Sequence, residues 1–202
     1  MRAQSFAEVR KEQLLWIQAE DTPPNEHYGH YNTEELKAEK MKWNSPNYHA
    51  RKTDGILSLM PLIYDMPWRL TGGQGAHFKE SGIHDSTRGN VRAWTLHEDD
   101  EKELATCRDA EVILKHLPRV VWLESEQDLK KQHPDAPHKN WFPMRPTTNS
   151  WTLDANAFVA VDRKGFAAVP DFASTIHVAT GRSLEAVLPD LGGVPEPATF
   201  SG

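Results

Sequence analysis

Asn90-Val-Arg-Ala-Trp-Thr-Leu96 follows an Arg88-Gly89 pair, and its side chains alternate. Val91, Ala93 and Thr95 fall on one side of an extended chain, and Arg92, Trp94 and Leu96 on the other. Such period-two alternation reads as a strand covered on one face. The pattern extends in both directions. Upstream, Ile56–Ile63 (ILSLMPLI) is strongly apolar, Trp68–Thr71 reads as a short strand and Gly72–Gly75 as a turn. Downstream, Arg119–Leu123 (RVVWL) is β-branched and Trp151–Leu153 is a further strand. Phe158–Val161 and Phe166–Val169 read as two more, around a turn at Arg163-Lys164-Gly165. Short strands punctuated by Gly and Pro predict a small, strongly bent antiparallel sheet over residues 55–160.

Helical signals lie between and around these strands. Ser5-Phe-Ala-Glu8 reads as a capping box opening a helix with Phe6, Val9, Leu14 and Ile17 on its apolar stripe, ended by Asp21-Thr-Pro-Pro24. A short polar helix is expected over Glu34–Met41. Glu98–Glu103 is an acidic helix start, suited to the positive end of the helix dipole. Asp109 is placed to cap a helix over Ala110–Leu117, halted by Pro118. Lys130–Pro146 carries four prolines and reads as a long loop. After Pro170 a helix to Gly181 and a strand over Leu184–Leu188 resemble one piece of an α/β domain. The expected organisation is therefore a helical N-terminal arm (1–54), a barrel-like insertion domain (55–162) and an α/β piece (163–202).

Composition narrows the function classes. Of 202 residues 38% are hydrophobic, and seven Trp and seven Phe supply the area that argues against full disorder. No apolar run approaches the ~20 residues of a membrane span, so no membrane partner is expected. MRAQSFAEVRKEQ has no secretory h-region. The single cysteine, Cys107, leaves no disulfide framework or multi-cysteine zinc site, so an intracellular location is expected. Lys and Arg total 23 against 29 Asp and Glu, a net charge of -6. A chain this acidic does not coat nucleic acid by bulk electrostatics, and any such contact has to be local.

Several constellations invite chemistry and do not complete it. His27-Tyr-Gly-His30 has ligand-like spacing but no third donor, and His133 and His138 read as loop histidines, so no metal site is assigned. Gly181-Arg182-Ser183 resembles the end of a phosphate loop, but the chain has no Gly-Lys dipeptide and hence no Walker A motif. Ser174 and His177 sit three apart without a Gly-x-Ser-x-Gly elbow. Cys107 reads as a packed thiol. No catalytic residue is assigned.

Two separated segments carry more. The first is Leu59–Thr71 followed by Gly82-Ile-His-Asp-Ser-Thr-Arg-Gly-Asn-Val91. The second is Arg163-Lys-Gly-Phe-Ala-Ala-Val-Pro-Asp-Phe-Ala-Ser-Thr-Ile-His-Val-Ala-Thr-Gly-Arg-Ser-Leu-Glu-Ala-Val-Leu-Pro-Asp-Leu191. In order and spacing both resemble the C-terminal half of PIF-family DNA helicases, the superfamily-one group of RecD-like enzymes. Gly82, Ile83, Thr87, Arg88, Gly89 and Val91 match the family's "GLxNGTRGxV", with Asp85-Ser86 where the family has Asn-Gly. Arg163, Ala173, Thr175, Ile176, His177, Gly181, Leu184, Val187, Asp190 and Leu191 match "RxQxPLxLAWAxTIHKSQGxTLxxVxxDL". Val178-Ala179-Thr180 stands where the family has Lys-Ser-Gln.

The resemblance implies a mixed α+β chain: a small antiparallel Src-homology-three-like β-barrel with inserted helices, joined to a helix–strand fragment of a RecA-like domain. It implies contact with the backbone of single-stranded DNA through Thr87, Arg88, Arg163, Ser174, Thr175, His177, Gly181 and Arg182. Hydroxyls, helix N-terminal N–H groups and local cations are what backbone tracking requires. The parent activity would be ATP hydrolysis, with Mg, coupled to 5′-to-3′ translocation, in the nucleus or mitochondrion. This chain alone binds no cofactor on that reading, and its partners are single-stranded DNA and N-terminal helicase domains not present in it. The expectation is a fragment or degenerate copy of such an enzyme, inactive alone. The alternative is a non-enzymatic β-barrel module binding a protein or nucleic acid.

Overall fold

The computed structural model describes residues 3–22, 34, 53–72, 75–154 and 159–172. In chain order the elements are α1 (Ala3–Arg10), β1 (Leu14–Gln18), β2 (Glu20–Thr22), β3 (Leu59–Leu62), β4 (Pro67–Leu70), α2 (Gly75–Glu80) and β5 (Arg88–Thr95). They continue with α3 (Glu98–Thr106), β6 (Glu111–Ile113), β7 (Val120–Ser125), β8 (Trp141–Met144), β9 (Thr147–Asp154), β10 (Val159–Gly165) and β11 (Ala168–Pro170).

The alternating stretch at residues 88–95 forms the centre of the largest sheet, of order β11-β4-β5-β7-β8. Its neighbours run antiparallel, with Val91 opposite Leu123 and Leu123 opposite Phe142. These three side chains, with Trp68, Leu70, Val121 and Met144, are buried in the main core. Each such side chain stabilises the fold by roughly 1.5–3 kcal/mol on burial. The β5–β7 register shifts between Val91 and Ala93. That bulge takes Arg92 out of strict alternation, as an extra residue in one strand does. Pro143, expected in a loop, lies in β8, which pairs only with β7 in the sheet order. An edge strand tolerates the missing N–H.

The N-terminal residues differ from the helix expected over residues 5–20. The helix ends at Arg10, Lys11 takes a positive φ of 55°, and Leu14–Gln18 is extended. Ser5 and Glu8 lie within α1 rather than capping it. A continuous helix would have put Val9 on the same stripe as Ile17, yet Val9 is 80% exposed and Ile17 buried. The physical reason is pairing: β1 finds β3 antiparallel on one side and β6 parallel on the other. Glu111–Ile113, expected as helix, is that parallel partner, and Trp16 Nε1 donates to Glu111 at 2.8 Å.

The third sheet has the order β2-β10-β9. Arg163-Lys164-Gly165, expected as a turn, is the end of β10, opposite Asn149, Thr148 and Thr147. The chain instead bends at Ala167 before β11. Strand pairing crosses both expected domain boundaries, since β1 and β2 pair with strands beyond residue 54 and β10 runs through residue 162. The described N-terminal residues are thus not a purely helical arm.

Over the described residues the chain is mixed α+β and mostly sheet. Among the described residues each of the three sheets keeps two open edges, so no closed barrel forms. Of the helix expected over 170–181, Pro170 ends β11 and residues 171–172 are not helical. The rest of it and the strand over Leu184–Leu188 lie outside the described residues, as does the helix over Glu34–Met41 apart from Glu34.

Candidate nucleic-acid interface

The first motif segment builds a tight turn into β5. Gly82 has φ +83° and Ser86 φ 71°, the left-handed region that glycine adopts at no steric cost. Thr87 Oγ1 accepts the His84 N–H at 3.0 Å, and the Thr87 N–H donates to the His84 carbonyl at 3.0 Å. The turn is stitched to the end of β4: the Ser86 N–H donates to Leu70 O, and the Leu70 N–H to Thr87 O, each at 2.9 Å. At Gly89 a Cβ would stand 2.7 Å from the Glu124 carbonyl oxygen, so the close β5–β7 approach requires glycine. Ile83 is buried in the core beneath.

Arg88 and Arg69 are register partners on β5 and β4. Both guanidiniums converge on Asp171, Arg69 Nε at 3.1 Å from Oδ1 and Arg88 Nε at 2.5 Å from Oδ2. The Asp171 side chain is 2% exposed, whereas the two arginines keep 22% and 18%. Two guanidiniums thus share one carboxylate. Guanidiniums and hydroxyls are donor types that hold a phosphodiester oxygen, and Thr87 is next to Arg88 in sequence.

Arg163 is elsewhere, and its role differs from the expected one. It is fully buried, and Nε and Nη2 grip the two carboxylate oxygens of Asp21 at 2.7 and 2.8 Å. Nη1 reaches Ile56 O at 3.4 Å, and the guanidinium lies 5.1 Å from the Trp151 ring centroid. A cation held this way inside the β2–β10 pair has no path to a DNA backbone. Ser174, Thr175, His177, Gly181 and Arg182 lie outside the described residues.

Arg69 and Asp171 went unnoticed in the sequence. Their only signal there is Arg69's place in a short alternating strand and Asp171's place within the second motif segment. A second polar cluster was also missed. Arg92 pairs with Glu124 and Asp65 at 2.6 Å each, and Arg10 joins Asp65 at 3.1 Å. Partial burial works against the Arg92 charge. The Glu124 hydrogen bond and charge, with Asp65 and Tyr64, more than offset it and hold the guanidinium above its ordinary value.

No protein-family model matches the chain. No curated protein matches it either. Among solved structures the chain is similar to the crystal structure of Pif1 helicase from Candida albicans, with a TM-score of 0.44 and 15% identity over 90% of this chain. The chain spans about a third of the length of that structure, 34%.

Proposed function

We propose that this chain is the C-terminal portion, or a degenerate copy of that portion, of a PIF-family ATP-dependent DNA helicase. On this reading residues 55–162 correspond to the Src-homology-three-like insertion and residues from 163 onward to the returning RecA-like domain. The observation that carries the reading is the junction between the two motif segments. Arg88 of the first and Asp171 of the second are 83 positions apart and share an ion pair. β11 of the second segment also pairs with β4 of the first. Ser86 supports the same alignment, because its positive φ falls where the family pattern has glycine.

The function proposed for this corner is low-affinity contact with the backbone of single-stranded DNA. Thr87 and the Arg69–Asp171–Arg88 cluster would supply contacts here, and Ser174, Thr175, His177, Gly181 and Arg182 of the second motif are proposed as contacts in their own right. ATP hydrolysis and translocation belong to the parent enzyme, whose phosphate-loop domain would bind ATP and Mg.

The test is fluorescence anisotropy with labelled oligo-dT. Non-specific binding in the range of about 10⁻⁴ to 10⁻⁶ M is expected, with a shallow salt dependence. The Arg88→Ala/Arg182→Ala pair should weaken it, whereas His133→Ala should not. No DNA-stimulated ATPase activity should accompany binding, since no phosphate loop is present in the chain. Nanomolar affinity untouched by the arginine pair would place the contact elsewhere and overturn the assignment. An in-frame Gly-x-x-x-x-Gly-Lys-[Ser/Thr] in the genomic sequence upstream would mark the chain as a truncated part of a longer nucleotide-binding protein.

A further inference from the structure

The α3 helix opens with His97 at its N-cap and four consecutive acids, Glu98, Asp99, Asp100 and Glu101. Three of these acids stay at the surface, but Asp100 turns inward and is 3% exposed. Its oxygens accept the backbone N–H groups of Lys115 at 2.8 Å and His116 at 3.1 Å, and Oδ2 lies 3.0 Å from His116 Nδ1. One buried carboxylate thereby fastens the segment after β6 to the start of α3. It also sets the His116 tautomer. Nδ1–H faces the carboxylate, which leaves Nε2 with its lone pair. A carboxylate behind an imidazole is the arrangement that orients metal-ligating histidines.

The His97 ring stacks on His116, with centroids 4.1 Å apart and planes 25° apart. Asp99 Oδ2 lies 3.5 Å from His97 Nδ1. Taking one donor atom from each of His97, Asp99 and His116, all three fall within 4.8 Å of one another. We propose that these three residues bind a divalent transition-metal ion of the zinc class, with Asp100 as the positioning residue behind His116. Two imidazoles and a carboxylate suit zinc, whereas magnesium and calcium prefer oxygen ligands throughout. Tetrahedral bonds of about 2.0–2.1 Å require donors closer together than here. Closing the gap requires His97 Nδ1 to leave the Asp99 N–H that it accepts at 3.3 Å, and its ring to turn off His116; the exposure of His97 and Asp99 leaves room for that movement. The positive end of α3 opposes a cation, and the first-turn acids offset it. The ion would clip the 97–116 excursion shut and hold the edge strand β6 against β1. This site does not depend on the helicase reading.

The test is titration of the full chain with zinc by calorimetry and with cobalt by visible absorption. One ion per chain is expected, together with a zinc-dependent rise in the unfolding midpoint. His97→Ala and His116→Ala should each weaken binding at least about tenfold, and Asp100→Asn by about 10–100-fold. His138→Ala should change nothing. In nitrogen-detected spectra zinc should move the His116 Nε2 resonance while Nδ1 stays protonated, a signature that a packing role for Asp100 does not produce. No binding at about 100 μM zinc would overturn the proposal. So would affinity unchanged in the His97→Ala/His116→Ala double variant. Should His116→Ala fail to fold, His97→Ala, at a partly exposed cap, decides alone.

Discussion

Replacing Arg163 by methionine separates a structural role for this residue from a DNA-binding one. Arg163 and Asp21 are register partners on β10 and β2, and their side chains are 0% and 2% exposed. The substitution removes both prongs of the guanidinium fork and the cation over Trp151, and leaves the Asp21 carboxylate buried without its counter-charge. Breaking a buried pair from one side costs about 3–5 kcal/mol, because the remaining charge keeps its desolvation penalty. That is a large share of the roughly 5–15 kcal/mol that holds a domain folded. At about 2–4 °C per kcal/mol for a unit of this size, the midpoint should fall by roughly 6–20 °C. Urea unfolding followed by tryptophan fluorescence measures the loss, with the slope of the transition unchanged. Adding Asp21→Leu should recover at least half of it, since an apolar pair of similar volume often replaces a buried ion pair without loss. Oligo-dT affinity per folded molecule should not change. A single variant within about 0.5 kcal/mol of the parent that binds DNA tenfold more weakly would refute the reasoning.

Ser86→Gly should stabilise the chain by up to about 1 kcal/mol. The left-handed backbone costs an L-residue about 1–2 kcal/mol, of which glycine's extra unfolded-state entropy returns about 0.5–1; a loss of stability in denaturant would contradict the strained turn. Gly89→Ala should destabilise by about 1–3 kcal/mol, because the new methyl meets the Glu124 carbonyl of β7 rather than a movable side chain. An alanine variant as stable as the parent would mean that the two strands are further apart. The Asp128 carboxyl is held below its ordinary range by the Asn140 amide, then by the Lys139 hydrogen bond and charge. Its folded value lies below its unfolded one, so the stabilisation is present above the unfolded value and is lost as pH falls through the folded value. Asn140→Gly, which keeps the positive φ of 64° accessible, should raise the titration midpoint seen by NMR, and an unmoved midpoint would rule out the amide as the cause.

The alternating run at 90–96 and the β-branched run at 119–123 read as strands from the sequence, and they fall on β5 and β7, because period-two patterning and β-branching belong to the local chain. The acid-rich start of α3 was legible for the same reason. Gly82 and Gly89 of the first motif answer local backbone demands, a positive φ and a close strand approach, which a sequence can carry.

What only the tertiary structure decided is partnership. Leu14–Gln18 and Glu111–Ile113 carry apolar residues at spacings that suit a helix as well as a strand, and the pairing of β1 with β6 on one side and β3 on the other settled the matter. Arg163 looks like any exposed basic residue until Asp21, 142 positions away, is brought beside it and both are taken out of water. Arg69, Asp171 and the stacked histidines 97 and 116 are likewise meaningless as neighbours in sequence. Local pattern follows from the geometry of successive residues. Burial and charge pairing depend on which distant segment arrives, and composition and spacing do not encode that in any one stretch.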